Sequence, residues 1–150
     1  MQEAITVPIQ LLSENARTPS RAYVGDAGYD LYASAFYTLK PFERCLIDTG
    51  VALEIPAGYG GFVLPRSGLA IKKGLSLVNA PGLIDSNYRG EIKVIAINLD
   101  PHKDIEIQPG DRIAQLVIIN IEDVNFSHAN VLSDSIRGEG GFGSSGVSEA

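Results

Sequence analysis

The chain has almost no cysteine. Cys45 is the single one in 150 residues, so no intrachain disulfide can form and no cysteine cluster can hold a metal. That usage fits a reducing compartment, and the cytoplasm is the expected location. Cys45 lies in an apolar strand pattern and reads as a small buried residue. Tryptophan is absent. His102 and His128 sit in polar stretches without partners at ligand spacing, which argues against a zinc site or a histidine relay. No apolar run approaches the roughly 18 residues that a membrane helix needs. Glu3 and Pro8 stand where a signal peptide would carry basic and then apolar residues, so none is expected. Positive charge is the minority, with 12 Lys+Arg against 18 Asp+Glu and a net charge of −6. A chain of that sign offers no broad face to nucleic acid, although a local basic pocket for a small anion remains open.

Hydrophobic residues make up 45% of the chain, enough for one soluble domain with its own core. At this length a fold buries roughly 68–70% of its unfolded surface and needs no covalent staples. The apolar residues come in short runs, at 7–12, 44–55, 61–64, 75–78, 92–99, 105–108 and 112–121. Many are β-branched, and Asp104-Ile105-Glu106-Ile107-Gln108 alternates with period two, as a half-buried strand does. Turn residues separate the runs: Pro56-Ala57-Gly58, Gly74, Gly90, Asp100-Pro101 and Pro109-Gly110. Many short strands at this spacing predict a sandwich, jelly roll or barrel. One helix is expected, capped by Ser67, turning through Leu69 to Lys73 and ended by Gly74.

Five segments carry more than core and turns. The sharpest is Asn79-Ala80-Pro81-Gly82-Leu83-Ile84-Asp85-Ser86-Asn87-Tyr88-Arg89-Gly90. It reads as a hairpin with a carboxylate, Asp85, and a ring, Tyr88, near its tip. Such a carboxylate is either solvated or a reacting group. Gly25-Asp26-Ala27-Gly28-Tyr29-Asp30-Leu31 brackets a glycine turn with two aspartates. It is a solvated turn, or a carboxylate facing a hydrated Mg²⁺, an ion that keeps several waters and takes few carboxylates. Pro65-Arg66-Ser67-Gly68-Leu69-Ala70 is a helix start and, with Arg66 beside it, also suits a phosphate. In Gly110-Asp111-Arg112-Ile113-Ala114-Gln115-Leu116 the odd residue is Gln115, which satisfies a neighbouring backbone group or faces a ligand. The last segment is Arg137-Gly138-Glu139-Gly140-Gly141-Phe142-Gly143-Ser144-Ser145-Gly146. Ordering it costs roughly 1–2 kcal/mol per residue in backbone entropy, so it should move until something binds it. It is a frayed linker or an anion cradle of glycine amides, serine hydroxyls and an arginine, with Phe142 able to stack on a flat ring.

Taken in their order along the chain, from the Asp30 segment to the last, the five segments resemble the five motifs of the trimeric deoxyuridine triphosphate nucleotidohydrolase (dUTPase) family. Each motif alone is modest, but five in sequence across most of the chain are specific. The resemblance implies an all-β, jelly-roll-like β-barrel of the dUTPase β-clip kind with one short helix. It implies a homotrimer whose core is residues 1–136 and whose mobile arm is residues 137–150. It implies Mg²⁺-assisted hydrolysis of dUTP to dUMP and pyrophosphate, which supplies dUMP for thymidylate synthesis and keeps uracil out of DNA. By position, Asp85 resembles the base that activates water for attack at the α-phosphorus. Tyr88 resembles the ring packed under the deoxyribose. Asn79, Leu83, Ile84 and Asp85 resemble the uracil-reading segment, and Lys93 lies where a further substrate contact is often found. Arg66, Ser67, Gly68 and Gln115 resemble the phosphate contacts. Asp30 resembles the carboxylate that holds Mg²⁺ through water. Arg137, Ser144 and Ser145 resemble the arm's γ-phosphate ligands and Phe142 its ring over uracil, with Gly143 between them as part of the same substrate-binding arm. No membrane or nucleic-acid partner is implied. A dCTP deaminase shares this fold but needs another acid–base set, which is not seen beside Asp85. A non-catalytic nucleotide sensor would not need the intact Asp85 and arm.

Overall fold

The computed structural model describes residues 4–148. Two four-stranded sheets and a small third sheet enclose one core. The first sheet has the order β1 (Ile9–Leu11), β4 (Arg44–Leu53), β8 (Glu91–Asn98) and β6 (Leu75–Leu77). The second has the order β2 (Tyr29–Tyr32), β10 (Arg112–Asn120), β5 (Tyr59–Leu64) and β7 (Gly82–Ile84). The third pairs β3 (Tyr37–Leu39) with β9 (Ile105–Ile107). Among the described residues pairing is antiparallel throughout, and the one helix is α1 (Ser67–Lys73). The fold is mostly β and jelly-roll-like, as the sequence predicts. Its hydrogen bonds run within three separate sheets and do not close a continuous barrel among the described residues. No helix of the described residues is long and apolar enough to cross a membrane.

Strand alternation decides what enters the core. In β8, Ile92, Val94, Ala96 and Asn98 are buried, while Glu91, Lys93, Ile95 and Ile97 face outward. Ile47 and Val51 of β4, Leu31 of β2, Ile113 of β10 and Leu39 of β3 meet them from the other strands. Each such aliphatic chain contributes roughly 1.5–3 kcal/mol by leaving water. Two register shifts bend this frame. One lies between Asp48 and Val51 of β4, the other between Arg112 and Ala114 of β10.

Four local expectations need correction. Residues 79–90 do not form a hairpin: β7 pairs with β5, whereas β8 pairs with β4 and β6. The segment crosses from one sheet to the other and back. Ser67 is not the helix cap, because Arg66 occupies that position in extended conformation and no side chain caps the helix. Gly74 ends the helix in the left-handed region, as expected, with Lys72 and Lys73 in the last turn against the negative end of the dipole. Cys45 is only half-buried. It shares the core-facing side of β4 with Ile47 and packs against the core's margin near the strand's start, and burial first, and then Glu43 and Asp48, push its thiol pKa up. Finally, β2, β3 and β7 lie outside the apolar runs marked in the sequence. They have 4, 3 and 3 residues, too short to show a period.

One buried polar residue joins three loops and strands. The Asn98 amide donates to the carbonyls of Leu39 (3.0 Å) and Lys103 (2.8 Å), and its oxygen accepts from the Asp100 N–H (2.8 Å). Asn98→Ala strands these backbone groups without solvent. It should lower unfolding stability by roughly 2–4 kcal/mol. Urea unfolding at fixed protein concentration will measure the loss.

Candidate functional site

The second sheet gathers four of the five segments. Its order places β2, β10, β5 and β7 side by side. These strands carry or adjoin the Asp30, Gln115, Arg66 and Leu83 segments respectively. The register then selects who meets whom. Gln115 lies opposite Asp30 on one side and Leu64 on the other. The shift in β10 makes the first pairing: Arg112 opposes Tyr32, and without the extra residue Gln115 would fall opposite Tyr29.

Around this row the side chains converge. Arg66 Nε lies 2.9 Å from Asp30 Oδ1, and Arg112 Nε lies 3.6 Å from Asp30 Oδ2. Arg66 Nη1 also donates to the Arg112 carbonyl at 3.4 Å. The Asp30 side chain is only 16% exposed, so its charge is compensated by these guanidiniums more than by water. The Gln115 amide donates to the Pro65 carbonyl at 2.8 Å, which fixes the residue before Arg66. Gly28 permits this, because a Cβ there would overlap the Gln115 amide oxygen. The result is a cavity of about 340 Å³ lined by Asp26, Gly28, Asp30, Arg66, Ser67, Gly68, Arg112 and Gln115 among others. Cationic fork donors, backbone amides and a carboxylate around one opening suit a phosphorylated ligand.

The remaining expected residues lie elsewhere on the chain. Asp85 is exposed at the end of β7, and its carbonyl accepts from the Tyr88 N–H at 3.1 Å. Tyr88 is 43% exposed and its hydroxyl donates to the Glu91 carbonyl at 2.8 Å. Leu83 is exposed and Ile84 half-buried, and Asn79 precedes a cis Ala80–Pro81 peptide. None of residues 79–90 lines the Arg66 cavity. Lys93 is held by carboxylates of its own chain, at 2.8 Å from Asp48 and 3.5 Å from Glu91. The hydrogen bond to Asp48 holds its ammonium pKa above the usual lysine value.

Among the described residues the arm hydrogen-bonds only within itself and, through the Gly138 N–H, to the adjoining Ser135. Arg137 Nε donates to the Gly140 carbonyl at 2.6 Å, and tight turns follow at Ser144 and Gly146. Phe142, Ser144 and Ser145 are exposed, Phe142 and Gly143 have positive φ, and no strand or helix occurs from 121 to 148. Residues 149 and 150 of the expected arm lie outside the described residues. Arg112 was not singled out in the sequence. A charged residue opening a strand is ordinary, and only its contact with Asp30 marks it.

Comparison with known proteins adds an independent line. A family model described as dUTPase matches residues 14–146. The deoxyuridine 5'-triphosphate nucleotidohydrolase of Corynebacterium glutamicum is 50% identical over 146 residues, covering 97% of this chain and 98% of that one. That of Bifidobacterium longum is 56% identical over 126 residues, covering 84% and 80%. The dUTPase of Staphylococcus bacteriophage 80alpha, solved with dUPNHPP, superposes with a TM-score of 0.88 at 36% identity, covering 96% of this chain and 100% of that one. A mutant dUTPase from phage phi11 of S. aureus, whose structure details the coordination of a structural Mg(II) ion, superposes with a TM-score of 0.80 at 30% identity, covering 87% and 100%.

The contact of Gly28 with Gln115 is testable on its own. Gly28→Ala should push Gln115 off the Pro65 carbonyl and cost roughly 0.5–1.5 kcal/mol in urea unfolding. In a Gln115→Ala background the clash is gone, and the same substitution should cost little. Equal costs in both backgrounds would show that another contact is responsible.

Proposed function

The chain belongs to the dUTPase family, and on that premise we propose how its residues hydrolyse dUTP to dUMP and pyrophosphate. The enzyme is a dUTP diphosphatase, of the same kind as these relatives. One observation carries the reading: Asp30, Arg66 and Gln115, from three separate segments, meet at one cavity whose chemistry suits a triphosphate.

In this reading Arg66, Gln115 and the Ser67 and Gly68 backbone hold phosphate oxygens, and Arg112 keeps Asp30 in place. Asp85 takes a proton from water as the water oxygen bonds the α-phosphorus. The bond from that phosphorus to the bridging oxygen breaks, and pyrophosphate leaves with the electron pair. Most of the catalytic work is positioning and charge stabilisation. Uracil lies against β7. That strand ends its sheet, so the N–H and C=O groups on its free edge, near Leu83 to Asp85, are available to the edge of a base. Asn79 flanks them, and Tyr88 underlies the sugar.

Mg²⁺ fits as an ion carried by the substrate. No group of three or more His, Cys, Asp or Glu that could cage a metal occurs among the described residues. Asp30 at the cavity wall is a single carboxylate, which suffices for water-mediated contact. Once bound, the ion would neutralise charge on the triphosphate.

The register also supports a shared site. Ile84, just before Asp85, lies opposite Gly61. Leu64, next to the Arg66 segment, is three residues further, which is about 10 Å along the strand. The Arg66 cavity has no wall from residues 79–90 or 137–148. A homotrimer would complete each site with Asp85, phosphate contacts and arm from different copies. In the same reading residues 1–136 are the core and 137–150 the arm. Arg137, Ser144 and Ser145 then take the γ-phosphate, and Phe142 covers uracil with Gly143 beside it. Lys93 is left to its two carboxylates. A cytoplasmic role in supplying dUMP and limiting uracil in DNA completes the reading.

Incubation with dUTP and Mg²⁺ should release dUMP and pyrophosphate; orthophosphate as the product would move the cleavage site. Asp85→Asn should lower kcat by about 10²–10⁴-fold while affinity for a non-hydrolysable dUTP analogue stays near wild type. Near-full kcat would remove Asp85 as the base. Deleting residues from Arg137 onward should leave the oligomeric state in solution and the unfolding midpoint unchanged while activity falls sharply, because the described residues of the arm add nothing to the buried core.

A further inference from the structure

We propose that Gly90 and Glu91 set the height of the Tyr88 ring, and that this is what separates deoxyribose from ribose. The inference rests on the reading above that Tyr88 underlies the sugar. Both are positioning residues, since they act through Tyr88.

The Tyr88 ring lies over the backbone of Gly90. A Cβ on Gly90 would stand 2.5 Å from the Tyr88 hydroxyl oxygen, 2.7 Å from Cζ and 3.0 Å from Cε2. Gly90 is not among the residues of positive φ, so its backbone does not require glycine. What requires it is the ring. The hydroxyl at the far end of that ring is tied to the Glu91 carbonyl at 2.8 Å. Glu91 is itself fixed: its Oε1 accepts from the Gly50 N–H at 2.7 Å, and its Oε2 lies 3.5 Å from Lys93 Nζ. Gly50 sits in the register shift of β4, among the buried residues of the first sheet. At the other end, the Tyr88 N–H donates to the Asp85 carbonyl. The ring is thus clamped between the first residue of β8 and the turn that carries Asp85.

Without that clamp, a 43% exposed tyrosine would sample several rotamers. A moving ring makes a poor wall against an added 2′-hydroxyl. Excluding one hydroxyl by shape requires a surface that does not yield. Gly90 lets the ring lie flat, and the Glu91 carbonyl holds it there.

The test compares dUTP and UTP as substrates for the wild type, Gly90→Ala and Tyr88→Phe. Gly90→Ala should lift the ring, raise KM for dUTP and lower the dUTP-to-UTP ratio of kcat/KM by about tenfold or more. Its kcat for dUTP should change far less than in Asp85→Asn. Tyr88→Phe keeps the ring but loses the anchor on Glu91, and should shift the ratio in the same direction by less. An unchanged ratio in a folded, active Gly90→Ala enzyme overturns the proposal. If that variant fails to fold, a wild-type ratio in Tyr88→Phe overturns it instead. A wild type that turns over UTP as readily as dUTP removes the sugar role of Tyr88, and this proposal with it. A selective wild type with equally selective variants overturns this proposal alone.

Discussion

The pairing of β10 on both its edges is the constraint on which the rest of the site depends. β10 is bonded to β2 and to β5 at once, so it cannot slip against one without breaking the other. The extra residue between Arg112 and Ala114 sets that double register. It aligns Asp30, Gln115 and Leu64 in one row. Arg66 then leaves the end of β5 directly above Asp30, and its guanidinium closes on the carboxylate. A slip of one residue would turn Gln115 to the opposite face and separate it from Pro65. The chemistry of the cavity is therefore a consequence of sheet geometry.

Charge follows the same frame. The chain carries net negative charge, yet two arginines gather at one cavity. Left alone, two guanidiniums this close would repel. Asp30 lies between them and makes the arrangement stable while most of their donors remain free. An anionic ligand meets a small basic opening on an acidic surface, which favours the site over the rest of the molecule.

Much of this was legible in the residues. The β-branched runs with their turn residues predict most strands of the fold: of the ten described strands, five fall inside those runs and two more, β5 and β8, overlap them. Gly74 predicts the end of the helix because a left-handed residue there has no Cβ cost. The order of the five segments led to the family. Other features were not legible. β2, β3 and β7 are too short to show a period. The hairpin expected at 79–90 followed from turn residues beside an apolar run, and local sequence cannot say that β7 would choose β5 as its partner. Ser67 had the right chemistry for a cap, but the chain enters the helix one residue earlier.

The sequence by itself determined the residue types, their order along the chain and the alternation that sorts side chains inward or outward. These depend on neighbours a few positions apart, so local physics fixes them. Only the tertiary structure decided which segments meet. Arg112 gained its place beside Asp30 through a register shift, and Lys93 was taken by Asp48 and Glu91 through strand pairing. Gly90 was tied to the Tyr88 ring, an approach no spacing rule announces. Such contacts depend on how strands from distant parts of the chain align, and that alignment is chosen by the packing of the whole core.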